Sequence, residues 1–229
     1  WMGPKLSALT APGYINAHQA YVDGPPTVAD ALVGSSPDVW KTVLVSGTGA
    51  GGRGVFALDV TNPAAFDASK VMWEFTQMDD VDMGYVIGRP QIDDGAGRFS
   101  TTGAPALFLL ALDKPAGAAW TNLGANPNYY KISLPVNTNA LATGLANFST
   151  ALGTAGQVAQ MYMGDLHGNL WKLDFELASN GTADWTIGKL SPFVSSGVAY
   201  PLYIARDGTT DKNRQPITMA PSLIRGETS

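Results

Sequence analysis

Gln160-Met161-Tyr162-Met163-Gly164-Asp165-Leu166-His167-Gly168-Asn169-Leu170-Trp171-Lys172-Leu173-Asp174 is the stretch that decides the fold. Alternating apolar residues lead into a glycine-centred turn, and a second alternating run closes on Leu-Asp. That pattern is a β-hairpin, because a strand's side chains point to opposite faces at period two. The same order occurs at Thr42–Val45 with Gly51–Asp59, and again at Pro105–Asp113. A self-similar all-β unit recurring every ~40–60 residues marks a propeller blade or another repeated sheet.

The bulk composition agrees. A chain of 229 residues can bury a substantial core, in one all-β domain or two smaller ones. Only 14% of its residues are charged, against about 25% in a typical soluble domain. Asn, Thr, Ser and Gly must therefore solvate much of the surface. A net charge of −5 supplies no basic footprint for nucleic acid or anionic lipid. The absence of cysteine excludes disulfide scaffolds, thiolate metal sites and cysteine nucleophiles. No apolar run is long enough to span a membrane as a helix. The start at Trp1, with no signal peptide, leaves a cytosolic protein or an excised piece of a larger one, and the family resemblance below favours the piece.

Outward from the deciding stretch, residues 1–25 read as an irregular, proline-rich lead-in, with Tyr21–Gly24 a short strand ending in a turn. Hairpin units are expected near 40–75, 84–134 and 158–190, and an incomplete unit over 200–229. Within them, Ala64–Ser69 is expected to form one helical turn, and Gly84–Ile87 and Trp185–Ile187 to be strands. Asn139–Phe148 is the sole helix candidate, weakened by Gly144. Arg206-Asp207-Gly208 reads as a turn. The expected fold is all-β, a partial β-propeller of about three to four antiparallel blades.

Candidate chemistry is sparse. Gly47-Thr48-Gly49-Ala50-Gly51-Gly52 matches the dinucleotide fingerprint in form, but β-branched and aromatic residues follow it where a helix would have to begin. It reads as a flexible hairpin loop. His18 lies in the lead-in, and His167 stands at a hairpin tip where an exposed polar residue is expected; neither has a catalytic setting. Asp79, Asp80, Asp82 and Asp93, Asp94 are the weak candidates for a cation, since Ca²⁺ takes closely spaced oxygens, although neither cluster has EF-hand spacing. Asp59, Asp113 and Asp174 close their strands and are expected to accept N–H groups of the next turn. Gly164, Asp165, Gly168, Asn169 and Trp171 complete the structural motif.

Taken in order along the chain, His18–Pro25, Trp40–Val45, Gly54–Thr61, Trp73-Glu74-Phe75, Gly84-Tyr85-Val86 with Pro90, Gly164–Asp174 and Arg214–Thr218 resemble the C-terminal β-propeller domain of the type IV pilus tip-associated adhesin family, PilY1 and its neisserial relatives PilC. The resemblance implies a non-enzymatic bacterial surface protein, at the pilus tip or outer membrane, that promotes pilus extension and attachment. Pilins, other pilus-tip proteins, or a host or abiotic surface are the partners it implies. Two departures stand out. Where relatives carry an acidic calcium loop, Phe148–Gln157 holds no carboxylate, so no cofactor is expected. The segment Arg98–Pro105 is shorter than the family's, which predicts a trimmed or distorted second blade.

The alternative reading is a quinoprotein-like propeller, enzymatic or an outer-membrane assembly scaffold, because Gly164, Gly168, Leu170, Leu173 and Asp174 also satisfy that repeat. The adjacent cysteines expected over a quinone cofactor are missing. An incomplete ring would leave open sheet edges, through which copies of the chain are expected to associate.

Overall fold

Pattern and pairing coincide first at the N-terminal sheet. β1 (Thr27–Val33), β2 (Val39–Gly47), β3 (Gly54–Asp59) and β4 (Val71–Thr76) form an antiparallel meander in chain order. Val43, Val45, Val55, Ala57, Trp73 and Phe75 are all buried on one face, as their period-two spacing requires. The connection from β3 to β4 holds two 3₁₀ turns, Pro63–Ala65 and Ala68–Lys70, in place of the single helical turn expected. The Asp67 carboxylate caps the second by accepting the Ser69 N–H at 2.8 Å.

The computed structural model describes residues 20–34, 37, 39–86, 88–90, 99–100, 105–135, 143–208, 214–224 and 226. After β5 (Phe99–Ser100), β6 (Ala106–Leu110) and β7 (Tyr129–Ser133) pair with each other alone. β8 (Thr143–Leu152), β9 (Val158–Asp165) and β10 (Asn169–Asp174) follow as a meander. A one-turn helix α1 (Ile187–Leu190) and a small hairpin, β11 (Val194–Ser195) with β12 (Val198–Ala199), lead to β13 (Tyr203–Ile204). The C-terminal sheet has the order β13-β10-β9-β8-β5.

The two-stranded β6–β7 sheet is buried from both sides. Ala106, Phe108 and Tyr129 join the core of the first sheet, with Met83 and Val86. Leu107, Ile132 and Leu134 point the other way, into a second core with Leu145, Phe148, Met161, Met163, Trp171, Leu173 and Leu190. Successive residues of one strand thus serve two cores. Fully burying side chains such as Leu107 and Phe108 contributes about 2–3 kcal/mol each. Around Phe75 the aromatic rings lock together: Tyr129 lies 5.0 Å away, Trp120 5.2 Å and Phe108 5.4 Å. The indole N–H groups of Trp73 and Trp120 donate to the carbonyls of Leu112 and Glu74. Polar atoms carried into this core by aromatic side chains are thereby satisfied.

The protein is all-β, built of several antiparallel sheets, and the described residues form no closed ring. Several expectations are corrected. The proposed helix Asn139–Phe148 is strand over Thr143–Phe148, because Leu145 and Phe148 are drawn into the second core. Weak helical propensity loses to that burial. Tyr21–Gly24 forms bends, not a strand, and of the expected strand Gly84–Ile87 only Tyr85 forms a β-bridge, Ile87 lying outside the described residues. Trp185 ends a 3₁₀ turn and Ile187 opens α1. Tyr203–Ile204 opens no further unit. It is β13, paired with Asn169 and Leu170 of β10. β5 joins β8 of the C-terminal sheet, leaving the middle sheet with two strands.

Candidate functional site

The Gly164–Asp174 hairpin owes its turn to one carboxylate. Asp165, ending β9, is buried, and its Oδ1 accepts the N–H of His167 at 2.9 Å and of Asn169 at 2.8 Å. Its Oδ2 accepts the Asn169 side-chain amide at 2.7 Å and the Trp171 indole N–H at 2.9 Å. Four donors around one buried anion hold it without a metal ion. Gly168 takes φ +77°, and a Cβ there would lie 2.5 Å from the Gln215 carbonyl oxygen.

The same turn anchors the C-terminal segment. Arg214 Nη1 donates to Asn169 Oδ1 at 2.7 Å, and the Ile217 N–H donates to the Asp165 carbonyl at 3.0 Å. A Cβ on Gly164 would collide with the Ile217 carbonyl oxygen at 2.3 Å, so that residue must be glycine for the segment to dock. His167 is not exposed at the hairpin tip as expected. It is 4% exposed, and its Nε2 has no hydrogen-bond partner among the described residues. The docked segment 214–217 crosses this turn, which a local reading of Leu166–Gly168 cannot foresee.

The glycine-rich loop, expected as a flexible hairpin loop, packs closely against the segment before β1. Gly49–Gly51 is a 3₁₀ turn whose Ala50 N–H donates to Asp23 Oδ1 at 2.8 Å. A Cβ on Gly51 would sit 1.5 Å from the Tyr21 carbonyl oxygen. The glycines let residues 21–24 lie against the loop backbone, and no helix N-terminus follows to receive a phosphate.

The carboxylates are committed to the protein itself. Asp79 Oδ2 accepts the Thr76 N–H at 2.8 Å. Asp80 pairs with Lys131 at 3.0 Å and accepts the Tyr129 hydroxyl at 3.2 Å, and Asp82 pairs with the same lysine. An ammonium group therefore occupies the place a cation would take. Burial, then the Asp80 charge, push the Tyr129 phenol up to about 12. Among the described residues no group of three or more His, Asp or Glu could hold a metal ion. Asp93, Asp94 and His18 lie outside the described residues. Asp59 Oδ1 accepts the Thr61 N–H at 3.1 Å and Asp174 Oδ1 the Glu176 N–H at 3.1 Å. Asp113 is exposed in a turn beyond β6.

Of Phe148–Gln157, expected as a loop, residues 148–152 are strand and 153–157 form the turn. In that turn the Gly153 N–H donates to the Gln157 carbonyl at 2.8 Å. A tight hairpin without carboxylates does not fit a calcium ion, which takes six to eight oxygens.

A concave feature among the described residues lies between the middle and C-terminal sheets. A cleft of about 730 Å³ is lined by Leu109 and Leu110 of β6, Tyr130 of β7, Val158 of β9, and Phe175, Glu176, Thr182 and Trp185 beyond β10. Trp185 packs edge-on against Tyr130 at 4.8 Å and Phe175 at 5.5 Å. The sequence reading missed this cleft. The one available signal was a cluster of aromatic residues after the Leu-Asp closure.

Against known proteins, a family model described as the PilY1 beta-propeller domain matches residues 2–229. The chain is 39% identical over 227 residues to a type IV pilus biogenesis factor PilY1 homolog of Xylella fastidiosa, covering 93% of this chain and 14% of that protein. It is 35% identical over 247 residues to type IV pilus biogenesis factor PilY1 of Pseudomonas aeruginosa, covering 98% and 19%. The crystal structure of the Pseudomonas aeruginosa PilY1 C-terminal domain superposes with a TM-score of 0.65 at 31% identity, over 90% of this chain and 42% of that one. The chain thus spans less than a fifth of the length of these curated relatives.

Proposed function

The chain belongs to the PilY1 β-propeller domain family, and on that premise we propose that it is a non-enzymatic module of a surface-exposed type IV pilus biogenesis factor. The single observation that carries this reading is family membership over almost the whole chain. The architecture supports it. A four-stranded meander, β1 to β4, and a second meander, β8 to β10 extended by β13, are the sheets of a partial propeller, with the β6–β7 hairpin as a reduced blade between them. Residues 1–229 form one portion of that domain. Its role is to present loops and sheet ends to pilins, to other tip proteins, or to a host or abiotic surface, promoting pilus extension and attachment. It acts at the bacterial surface, at the pilus tip or outer membrane. Copies of the isolated chain associate through open sheet edges.

A chimera tests the reading. The matching segment of a PilY1 in a piliated bacterium is replaced by this chain, and surface pili and twitching are measured. Restored piliation is expected. A chimera that reaches the surface intact yet leaves the cells as bald as a deletion strain would refute the proposal.

A further inference from the structure

We propose that the cleft between the middle and C-terminal sheets binds a neutral saccharide, one pyranose ring seated against the aromatic wall of Tyr130, Phe175 and Trp185. This does not depend on the pilus reading. The volume, about 730 Å³, falls in the range of ~300–1,000 Å³ usual for small-molecule sites. The wall is aromatic and aliphatic, and Trp185 is held edge-on by both neighbouring rings.

The polar groups narrow the ligand class. The indole N–H groups of Trp73, Trp120 and Trp171 each donate within the protein. Trp185, half-buried at the cleft, donates its indole N–H to no protein acceptor among the described residues, and the Tyr130 hydroxyl likewise has no partner. Glu176 and Thr182, both exposed, add an acceptor and a hydroxyl at the cleft wall. No lysine or arginine lines the cleft, and its one charged side chain is acidic, which disfavours phosphates, sulfates and acidic sugars. An alkyl chain would bury the indole N–H and the phenol without partners, a costly outcome. A neutral pyranose matches both properties, with an apolar C–H face for the rings and hydroxyls that accept from Trp185 and Tyr130 and donate to Glu176.

The test uses the intact chain with maltose, lactose, cellobiose and N,N′-diacetylchitobiose as probes. Saturation-transfer NMR is followed by calorimetric titration. At least one sugar is expected to bind saturably, with transfer strongest at its ring C–H protons. Tyr130→Phe removes the hydroxyl and Glu176→Gln the negative charge at nearly unchanged volume, and Trp185→Phe removes the indole N–H while keeping an aromatic ring; each is expected to weaken binding roughly fivefold to tenfold. Trp185→Ala should abolish it. Because that change also loosens Tyr130 and Phe175, the three conservative variants decide, with thermal unfolding as a check on their fold. Absence of transfer to all four sugars overturns the proposal. So does binding that the three conservative variants leave unchanged, or equal binding of the neutral peptide tri-alanine.

Discussion

The buried carboxylate of Asp165 accepts the indole N–H of Trp171 at 2.9 Å, tying the end of one strand to the middle of the next. The same oxygen also takes the Asn169 side-chain amide, so one residue sets the turn, the register and the position of the Arg214 anchor on Asn169. Asp165→Ala would strand four buried donors. A loss of about 3 kcal/mol or more is expected, read as a lower midpoint in urea denaturation. Trp171→Phe removes one donor and should cost about 1 kcal/mol from the lost hydrogen bond.

Close approach of two backbones explains the glycine-rich loop, and a single methyl group tests it. Gly51→Ala places a Cβ where the Tyr21 carbonyl already is. Stability should fall by about 1–3 kcal/mol, and hydrogen exchange at Ala50, whose N–H is held by Asp23, should accelerate. A variant with unchanged exchange would show that residues 21–24 do not rest on the loop.

Alkaline pH should find Tyr129. Its phenol stays protonated in the folded state up to about 12, against an ordinary value of 10.0. The stability it contributes is complete below pH 10 and is lost as the pH rises from 10 towards 12, because the unfolded chain gives up that proton first. Tyr129→Phe should flatten the fall of stability over that window. At the acid end the sign reverses. Hydrogen bonds from Thr61, with Lys41 near, hold the Asp59 carboxyl below its ordinary 3.8, so its contribution is present above 3.8 and disappears as the pH drops through the lowered value.

Calcium at about 1 mM, the concentration that fills weak extracellular sites, should neither release heat in calorimetry nor raise the unfolding temperature. The hairpin 148–157 carries no carboxylate, and Lys131 is paired with both Asp80 and Asp82. A saturable shift would locate a cation site at Asp93–Asp94, outside the described residues.

Leu32 and Trp40 face each other across β1 and β2, and both are more than half exposed. Val28 and Val71 extend the same sheet face. The isolated chain should therefore self-associate with rising concentration in sedimentation, and Leu32→Lys with Trp40→Gln should shift it towards monomer. Monomer at every concentration would argue against association through this face.

Much of this protein was legible from local pattern. Period-two alternation located β2, β3, β4, β9 and β10, since a half-buried strand needs nothing beyond its own spacing to be recognised. Leu-Asp closures likewise foretold the turns after Asp59 and Asp174, which are settled within two residues. Tertiary structure decided the rest. Whether Thr143–Phe148 was helix or strand depended on a core assembled from distant elements. β13 found β10, and β5 found β8, through pairings that no short window contains. His167 is buried because residues 214–217 dock across its turn. The cleft exists only where β6 and β7 meet the segment beyond β10. Strand periodicity is a property of neighbours in sequence, whereas burial, edge pairing and concavity arise between residues far apart along the chain.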